Sequence, residues 1–208
     1  MMVKNILWDF DGVILDSMSI RDWGFREIFK DFDKNEVEAL INFHRLNGGR
    51  SRYVKIRYFF ENILGKSIKE ERVLYYAELF SGLMKKELVD RKNLISDSVM
   101  FIISNFKNFN FHIVSGSDQI ELRFLCKRLG IEKYFRSIEG SPTCKNILVG
   151  NLLEKFKYYK DDTILIGDSV NDHDAAVENG IRFFGYNNVG IKSVSSFYIE
   201  SFEGLGGF

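Results

Sequence analysis

Two acidic pairs are the first features of this sequence that could do chemistry. Asp9 and Asp11 follow a short apolar run, and Asp168 and Asp172 follow another. Each pair alone is also typical of an acidic turn or a helix start. If all four carboxylates share one crevice, they need a compensating cation, because two like charges about 4 Å apart repel by roughly 4 kcal/mol at an effective dielectric near 20. Oxygen ligands without His or Cys favour Mg²⁺.

Two further segments suit an anionic ligand. Ser115 and Gly116 end an apolar run just before a helical pattern, where free backbone N–H groups and the positive end of the helix dipole favour phosphate. Lys145 stands at the head of another helical pattern and could reach the same anion as a point charge. Each is ordinary by itself, as a strand-end turn and as a surface lysine. Beside the acidic pairs, they indicate a site for Mg²⁺ and phosphate together.

Five short apolar runs predict the strands that would position these groups, at 3–10, 109–115, 137–140, 163–167 and 181–186. Runs such as ILW and ILI lack polar alternation, which is typical of strands covered on both faces of a parallel sheet. Helical patterns separate the last four runs, and one of them is expected to begin at a Ser117 cap and end at Gly130. The alternation predicts an α/β fold with a Rossmann-like parallel sheet. Ligands of such sheets bind beyond the carboxyl ends of the strands, where both acidic pairs fall.

The rhythm breaks between the first two predicted strands. Residues 17–91 show helical patterns only, with capping-box spacing at 33–36 and at 67–70. An insertion of about 75 residues is too long for an ordinary crossover. We therefore expect a smaller, all-helical cap domain at 16–92 and a core domain made of 1–15 and 93–208. The segment after about residue 188 is expected only to finish the edge of the sheet.

Composition excludes several classes of protein. The chain of 208 residues is 45% hydrophobic and 28% charged, so it can bury a core and is not intrinsically disordered. The 29 Lys and Arg offset the 29 Asp and Glu, which leaves no basic footprint of a nucleic-acid partner. No apolar stretch approaches a membrane span or a signal peptide, and the two cysteines form no disulfide framework. We expect a cytoplasmic protein without a nucleic-acid or membrane partner; the oligomeric state is left open.

Four segments, taken in order, resemble the motifs of the haloacid dehalogenase-like hydrolase superfamily: DFDGVILDS, VSGS, GSPTCK and GDSVNDHDAA. The resemblance covers the whole chain. Its spacing fits the phosphatase branch with a helical cap after the first strand, the group of phosphoglycolate phosphatases and β-phosphoglucomutases. It implies that Asp9 is the nucleophile, which forms an aspartyl-phosphate, and that Asp11 is the general acid and base.

The resemblance also implies the ligand contacts. Mg²⁺ would be held by the Asp9 carboxylate, the Asp11 backbone carbonyl and Asp168, with Asp172 in support. The phosphoryl oxygens would be held by Ser115, the Gly116 N–H and Lys145, where electrostatic stabilisation matters most. Dehalogenases and phosphonatases of the superfamily lack an aspartate at the position of Asp11, so its presence here indicates phosphate esters.

The inserted segment offers three candidate substrate residues. Arg50 and Arg52 flank Ser51 in a Gly-x-Ser-Arg loop similar to loops that face the active site in sugar-phosphate members of the superfamily. Arg21 lies close to where the related β-phosphoglucomutases carry a histidine. The histidines of this chain show no partners in the sequence and are interpreted as structural; they are His44, His112 and His173.

The leading hypothesis is a Mg²⁺-dependent phosphatase of a small phosphorylated metabolite such as a sugar phosphate. One alternative is a phosphomutase, which returns the phosphoryl group to its substrate; the departure at Arg21 weakens it. The other is a non-catalytic phosphoacceptor that resembles a response-regulator receiver. Receivers carry no cap insertion, which favours the enzyme.

Overall fold

The computed structural model describes residues 2–205, and its framework is a six-stranded parallel sheet. The strand order is β3-β2-β1-β4-β5-β6, and every pairing is parallel. The strands are β1 Asn5–Trp8, β2 Asn110–Asp118, β3 Ser137–Ser141, β4 Thr163–Gly167, β5 Arg182–Tyr186 and β6 Phe197–Ile199. The predicted α/β fold with a parallel sheet is confirmed.

Eight helices accompany the sheet in the described residues. They are α1 Met18–Ile28, α2 Lys34–Leu46, α3 Arg52–Tyr58, α4 Glu70–Glu87, α5 Ser96–Asn105, α6 Gln119–Leu129, α7 Lys145–Phe156 and α8 Val170–Asn179. A π-helical turn at Phe59–Ile63 continues α3. None of the helices within residues 2–205 combines the length and the apolarity that crossing a membrane requires.

The central strand β1 shows why the runs without polar alternation form a parallel sheet. Ile6 and Trp8 belong to the core cluster on one face, whereas Leu7 belongs to the cluster on the other face with α7 and α8. Both faces are covered, so Ile6, Leu7 and Trp8 are all apolar and buried. The chain leaves β1 for β2 on one side and reaches β4 on the other, which makes the carboxyl end of β1 the switch point of the sheet.

The inserted helices, α1 to α4, lie between β1 and α5 in the chain and contain no strand, as predicted. Aromatic pairs fill their interior: the ring centroids of Phe29 and Phe59 are 4.3 Å apart, and those of Phe25 and Phe80 are 4.4 Å apart. The two connections to the rest of the chain run side by side, since the Asp16 N–H donates to the Asn93 carbonyl at 2.8 Å. These connections lie beside the boundaries expected from the sequence; the division into two domains stays a prediction.

Two predicted helix starts are wrong. Ser67 caps nothing, because α4 begins at Glu70 after Lys69, without a side-chain cap. Ser117 lies inside β2, and the carboxylate of Asp118 caps α6 instead, accepting from the N–H groups of Ile120 and Glu121. The Ser117 hydroxyl is used elsewhere, in a contact with the acidic pair of β1.

Other local predictions are confirmed. Asp33 caps α2 by accepting from the N–H groups of Asn35 and Glu36. Gly130 ends α6 with φ 74°, in the left-handed region that favours glycine. The edge strand β6 has only three residues, and the sequence pattern did not predict it as a separate strand.

Candidate active site

The carboxyl end of β1 places Asp9 at the centre of the site. Its N–H donates to the Ile166 carbonyl of β4 at 2.9 Å, which extends the sheet pairing by one residue. Its side chain is buried, and Oδ1 accepts a hydrogen bond from Lys145 Nζ at 2.7 Å. Lys145 is the first residue of α7, and its ammonium also donates to Asp172. Three residues separated by up to 163 positions are thereby brought into direct contact.

Asp168 completes an acidic cluster with Asp9 and Asp172, in which one carboxylate oxygen of each lies within 4.8 Å of the others. Burial, reinforced by Asp172 and only partly offset by Lys145, raises the pKa of Asp9 to about 7. Burial, together with Asp9 and Asp172, also raises the pKa of Asp168 well above its usual range. Three carboxylates share one ammonium here, so the cluster fits a divalent cation with oxygen ligands.

Both carboxylate oxygens of Asp172 already accept hydrogen bonds from other residues. Its Oδ2 accepts from the Ser169 N–H at 3.0 Å and from the Ser169 hydroxyl at 2.6 Å, which forms a capping box at the start of α8. Its Oδ1 accepts from Lys145. Asp172 therefore positions the lysine and the loop. Asp168 accepts no side-chain hydrogen bond within the described part of the chain, and together with Asp9 it is better placed to hold a metal ion.

Gly12 and two asparagines hold the acidic loops against each other. Gly12 has φ +80°, and a Cβ on it would lie 2.0 Å from Asp168 Oδ2, so only glycine fits. The Asn187 side chain donates to the Gly12 carbonyl at 2.9 Å, and that of Asn188 donates to the Asp168 carbonyl at 2.7 Å. Our sequence reasoning did not include these asparagines. Their position directly after the β5 run was the signal that could have identified them.

The Asp11 carboxylate lies outside the group of three and has its own partners, although its charge contributes to the raised pKa of Asp9 and of Asp168. Its Oδ1 accepts from Ser17 Oγ at 2.5 Å and from Arg21 Nε at 2.7 Å, and its Oδ2 accepts from Ser117 Oγ at 2.5 Å. Burial alone would raise the pKa of Asp11. The Arg21 charge and the three hydrogen bonds outweigh burial, so that the pKa is lowered and the carboxylate stays ionised.

The loop between α2 and α3 lies directly on the predicted phosphate-binding segment. A Cβ on Gly116 would lie 2.2 Å from the Gly49 carbonyl oxygen, and a Cβ on Gly49 would lie 2.8 Å from Asn171 Cβ. Ser115 is buried beneath the loop, and its hydroxyl accepts from the Ser117 N–H at 3.1 Å. Glycine at both positions allows the two backbones to meet over the site.

Two of the three predicted substrate arginines are held by a buried glutamate that sequence reasoning missed. Glu121 of α6 is fully buried; its Oε1 lies 3.2 Å from Arg21 Nη1, and its Oε2 lies 2.6 Å from Arg52 Nη1. Arg50 is exposed and forms no ion pair within the described residues. Nothing in the local pattern marks Glu121, because it occupies the first turn of α6, where an acidic residue is ordinary.

A small cavity of about 20 Å³ is lined by Asp11 and by residues of the inserted helices. Among its lining residues are Arg21, Arg50, Arg52 and Lys55. That volume holds about one water molecule, so this cavity admits a larger ligand only if the inserted helices move. A larger cavity of about 380 Å³ lies on the other side of Gly116, beside Lys145, and is the size of a small-molecule site.

The histidines predicted as structural differ in their surroundings. His112 is buried between Ser137 and Tyr158, with its ring nitrogens 2.9 and 3.0 Å from their hydroxyls. His173 is half-buried against Phe183. His44 is buried at the small cavity, and its Nδ1 lies 2.9 Å from Lys55 Nζ. Burial and the Lys55 charge lower the pKa of His44 to about 2, so the ring is neutral.

Solved structures with the same fold come from several bacteria. A β-phosphoglucomutase from Clostridium difficile has a TM-score of 0.78 at 18% identity, covering 98% of this chain and 93% of that one. A predicted phosphatase from Clostridium acetobutylicum has a TM-score of 0.78 at 16% identity, covering 99% and 97%. CbbY from Rhodobacter sphaeroides, solved with phosphate, has a TM-score of 0.78 at 15% identity, covering 100% and 98%.

No curated protein matches the sequence at a significant level. A family model described as haloacid dehalogenase-like hydrolase matches residues 6–186, which include the acidic cluster and the inserted helices. The chain therefore belongs to the haloacid dehalogenase-like hydrolase family.

Proposed function

We propose that this protein is a Mg²⁺-dependent phosphatase that hydrolyses a small phosphorylated metabolite through an aspartyl-phosphate at Asp9. The observation that carries the proposal is the contact of Lys145 with Asp9 inside the three-carboxylate cluster at the carboxyl end of β1. That arrangement would supply a nucleophile, a cation for the phosphoryl oxygens and ligands for a metal ion at one point of the sheet.

Hydrolysis at Asp9 would proceed in two steps. A carboxylate oxygen of Asp9 attacks phosphorus, the bond from phosphorus to the ester oxygen breaks, and the alkoxide leaves with a proton from Asp11. Water then attacks the aspartyl-phosphate, which releases inorganic phosphate and restores Asp9, while Asp11 takes the water proton. Lys145, with Ser115 and the Gly116 N–H, would hold the phosphoryl oxygens during both steps.

Mg²⁺ would be held by Asp9 and Asp168, with the Asp11 backbone carbonyl, and Asp172 would support the site through Lys145. When bound, it supplies positive charge that keeps Asp9 ionised and offsets the charge of the phosphate. This charge would offset the burial and the neighbouring carboxylates that raise the pKa of Asp9 and of Asp168.

Asp11 has to change partners during the reaction. Arg21, Ser17 and Ser117 hold it ionised, and an ionised carboxylate accepts a proton but cannot donate one. We infer that substrate entry, which must displace the inserted helices, also moves Arg21 away from Asp11. The inserted helices would then act as a cap domain whose displacement from Asp11 allows this carboxylate to take up a proton.

A phosphomutase is the second candidate, because the β-phosphoglucomutase fold is as similar to this chain as that of the predicted phosphatase. A mutase would yield an isomerised sugar phosphate with little inorganic phosphate. The receiver-like alternative is set aside, because the chain belongs to a hydrolase family. The cytoplasmic location and the lack of a nucleic-acid partner stay predictions.

The test is the release of inorganic phosphate from p-nitrophenyl phosphate and from a panel of phosphorylated metabolites, with Mg²⁺ or EDTA. The wild type should be active only with the metal. Asp9→Asn should lower kcat by at least about 10³-fold, because the amide cannot form the acyl phosphate. Asp161→Asn, at an exposed carboxylate just before β4, is the matched control and should retain activity. Unchanged turnover in Asp9→Asn would remove the proposed nucleophile.

A further inference from the structure

Ser141 carries a buried hydroxyl without a hydrogen-bond partner. It is the last residue of β3 and is 1% exposed. Its Oγ contacts no donor or acceptor within the described residues. Buried polar groups are nearly always paired, because an unpaired one destabilises the folded chain. The hydroxyl of Ser141 therefore indicates a ligand atom that completes its hydrogen bond.

The position of Ser141 in the sheet places it beside the residues expected to hold phosphate. Strand β3 pairs in parallel with β2, and β2 pairs in parallel with β1. The carboxyl ends of these three neighbouring strands bring Asp9, Ser115 and Ser141 to one edge of the sheet. Ser141 also lines the cavity of about 380 Å³, together with Gly116 and Lys145. It therefore shares a cavity with two of the three residues proposed to hold the phosphoryl oxygens.

The first turn of α7 adds further donors to the same cavity. Cys144 precedes this helix and provides no side-chain cap, and it lines the cavity with Lys145 and Asn146. The first N–H groups of a helix have no partner within the helix, and the positive end of the helix dipole favours an anion. Ser141 and the start of α7 can therefore donate to one ligand that carries several acceptor oxygens.

The charged residues of this cavity do not by themselves select an anion. Arg50 and Lys145 are cations, whereas Asp174 and Glu178 are exposed carboxylates of α8. Glu178 already accepts from the Asn146 side chain at 2.6 Å. The unpaired donors next to Lys145, rather than the net charge of the cavity, therefore mark the position of the ligand.

We propose that Ser141 binds a phosphoryl oxygen of the substrate, as a fourth residue beside Ser115, Gly116 and Lys145. Its hydroxyl donates to that oxygen, so this buried donor is paired only while a phosphoryl group is bound. The contact serves both steps of the reaction, because the same phosphoryl oxygens are present in the ester and in the aspartyl-phosphate. The inference rests on the proposed phosphatase function and adds to it a binding residue for the transferred group.

The first test measures the Kd of inorganic phosphate by calorimetric titration in the presence of Mg²⁺. Ser141→Ala is expected to raise this Kd at least about 10-fold, because a hydrogen bond to a charged oxygen is lost. Ser104→Ala, at an exposed serine of α5, is the matched control and should keep the wild-type Kd. Ser141→Cys keeps the side-chain size with a weaker donor, and it replaces the alanine variant if that does not fold. A folded Ser141 variant with the wild-type Kd, or a wild type that binds no phosphate, would overturn the proposal.

Urea unfolding separates a phosphate contact from a structural role. Without phosphate, Ser141→Ala should unfold at the same urea concentration as the wild type or at a higher one, because it removes an unpaired hydroxyl and no hydrogen bond. Inorganic phosphate should then raise the unfolding midpoint less in the variant than in the wild type. Lower midpoints in both Ser141→Ala and Ser141→Cys, with the wild-type rise on addition of phosphate, would assign the hydroxyl a structural role and overturn the proposal.

Turnover distinguishes this inference from the proposed function. If the wild type hydrolyses no ester, the phosphatase fails, and the Ser141 contact still stands if Ser141→Ala weakens the binding of inorganic phosphate. If the wild type is active, Ser141→Ala should lower kcat/KM for p-nitrophenyl phosphate at least about 10-fold. Unchanged kcat/KM in that variant would overturn the Ser141 contact and leave the phosphatase in place.

Discussion

The two sides of the site carry opposite charge imbalances. On the sheet side, Asp9, Asp168 and Asp172 share the single ammonium of Lys145. On the side of the inserted helices, Lys55 is buried with only neutral partners. Each imbalance is unfavourable in a buried site. The sheet side therefore favours a bound cation, and the side of the inserted helices favours a bound anion. Arg21 and Asp11 form the neutral boundary between them.

We expect the largest loss of unfolding free energy from Lys145→Met, which adds to the excess of negative charge on the sheet side. It leaves the Asp9 and Asp172 carboxylates buried without their common cation, and breaking a buried ion pair costs roughly 3–5 kcal/mol. Urea unfolding without Mg²⁺ should show this loss, and Mg²⁺ should restore more of it than it adds to the wild type. Lys155→Met, at an exposed position on the same helix, is the control. Wild-type stability in Lys145→Met would contradict the charge accounting on the sheet side.

Glu121→Gln is expected to have the next largest effect, and it deepens the positive imbalance. The change leaves Arg52 without a carboxylate and Arg21 with Asp11 alone, which should cost about 3 kcal/mol of unfolding free energy. It should also tighten inhibition by inorganic sulfate, because the excess of cations facing the small cavity grows. Glu132→Gln, at an exposed residue after α6, should change neither quantity. Weaker sulfate inhibition in Glu121→Gln would contradict the expected effect of the two unpaired arginine charges.

The smallest effect is a pH dependence that originates at His44. Its pKa is about 2 in the folded protein and about 6.5 in the unfolded chain, so the unfolded state binds one more proton between these values. The contribution of His44 to stability is therefore fully present above pH 6.5 and falls by about 1.4 kcal/mol per pH unit below it. His44→Gln, compared with the wild type by urea unfolding at pH 8, 6 and 5, should flatten this fall. The pH 8 values provide the baseline, since the imidazole is then neutral in both states. Identical pH dependences in the wild type and His44→Gln would show that the surroundings of His44 do not disfavour its protonation.

Local patterns predicted the framework well where one element decides its own structure. The run Thr163–Gly167 is a strand at the predicted residues, because the consecutive apolar side chains of Ile164, Leu165 and Ile166 must be covered on both faces. Gly130 ends α6 because the left-handed conformation there favours glycine. The predictions of Ser67 and Ser117 as caps are wrong because several residues near a helix start can cap it. Contacts with the rest of the chain decide which residue occupies that position.

The candidate site divides in the same way. Asp9, Lys145 and Asp168 were identified from their positions at strand ends and helix starts, and the structure brings them together. The contacts that Ser117 makes with Asp11 and that Glu121 makes with Arg21 and Arg52 were not identified, because they join segments about 70 to 110 residues apart.

The sequence by itself determined the parallel sheet, the acidic residues at its carboxyl edge and the membership of a hydrolase family, because each depends on residue types at local spacings. Only the tertiary structure decided which charges are paired and which are left over. Glu121 pairs with two arginines, and Lys55 contacts the neutral His44. The physical reason is that charge compensation in a buried site is a property of distances between elements, and no single element contains that information.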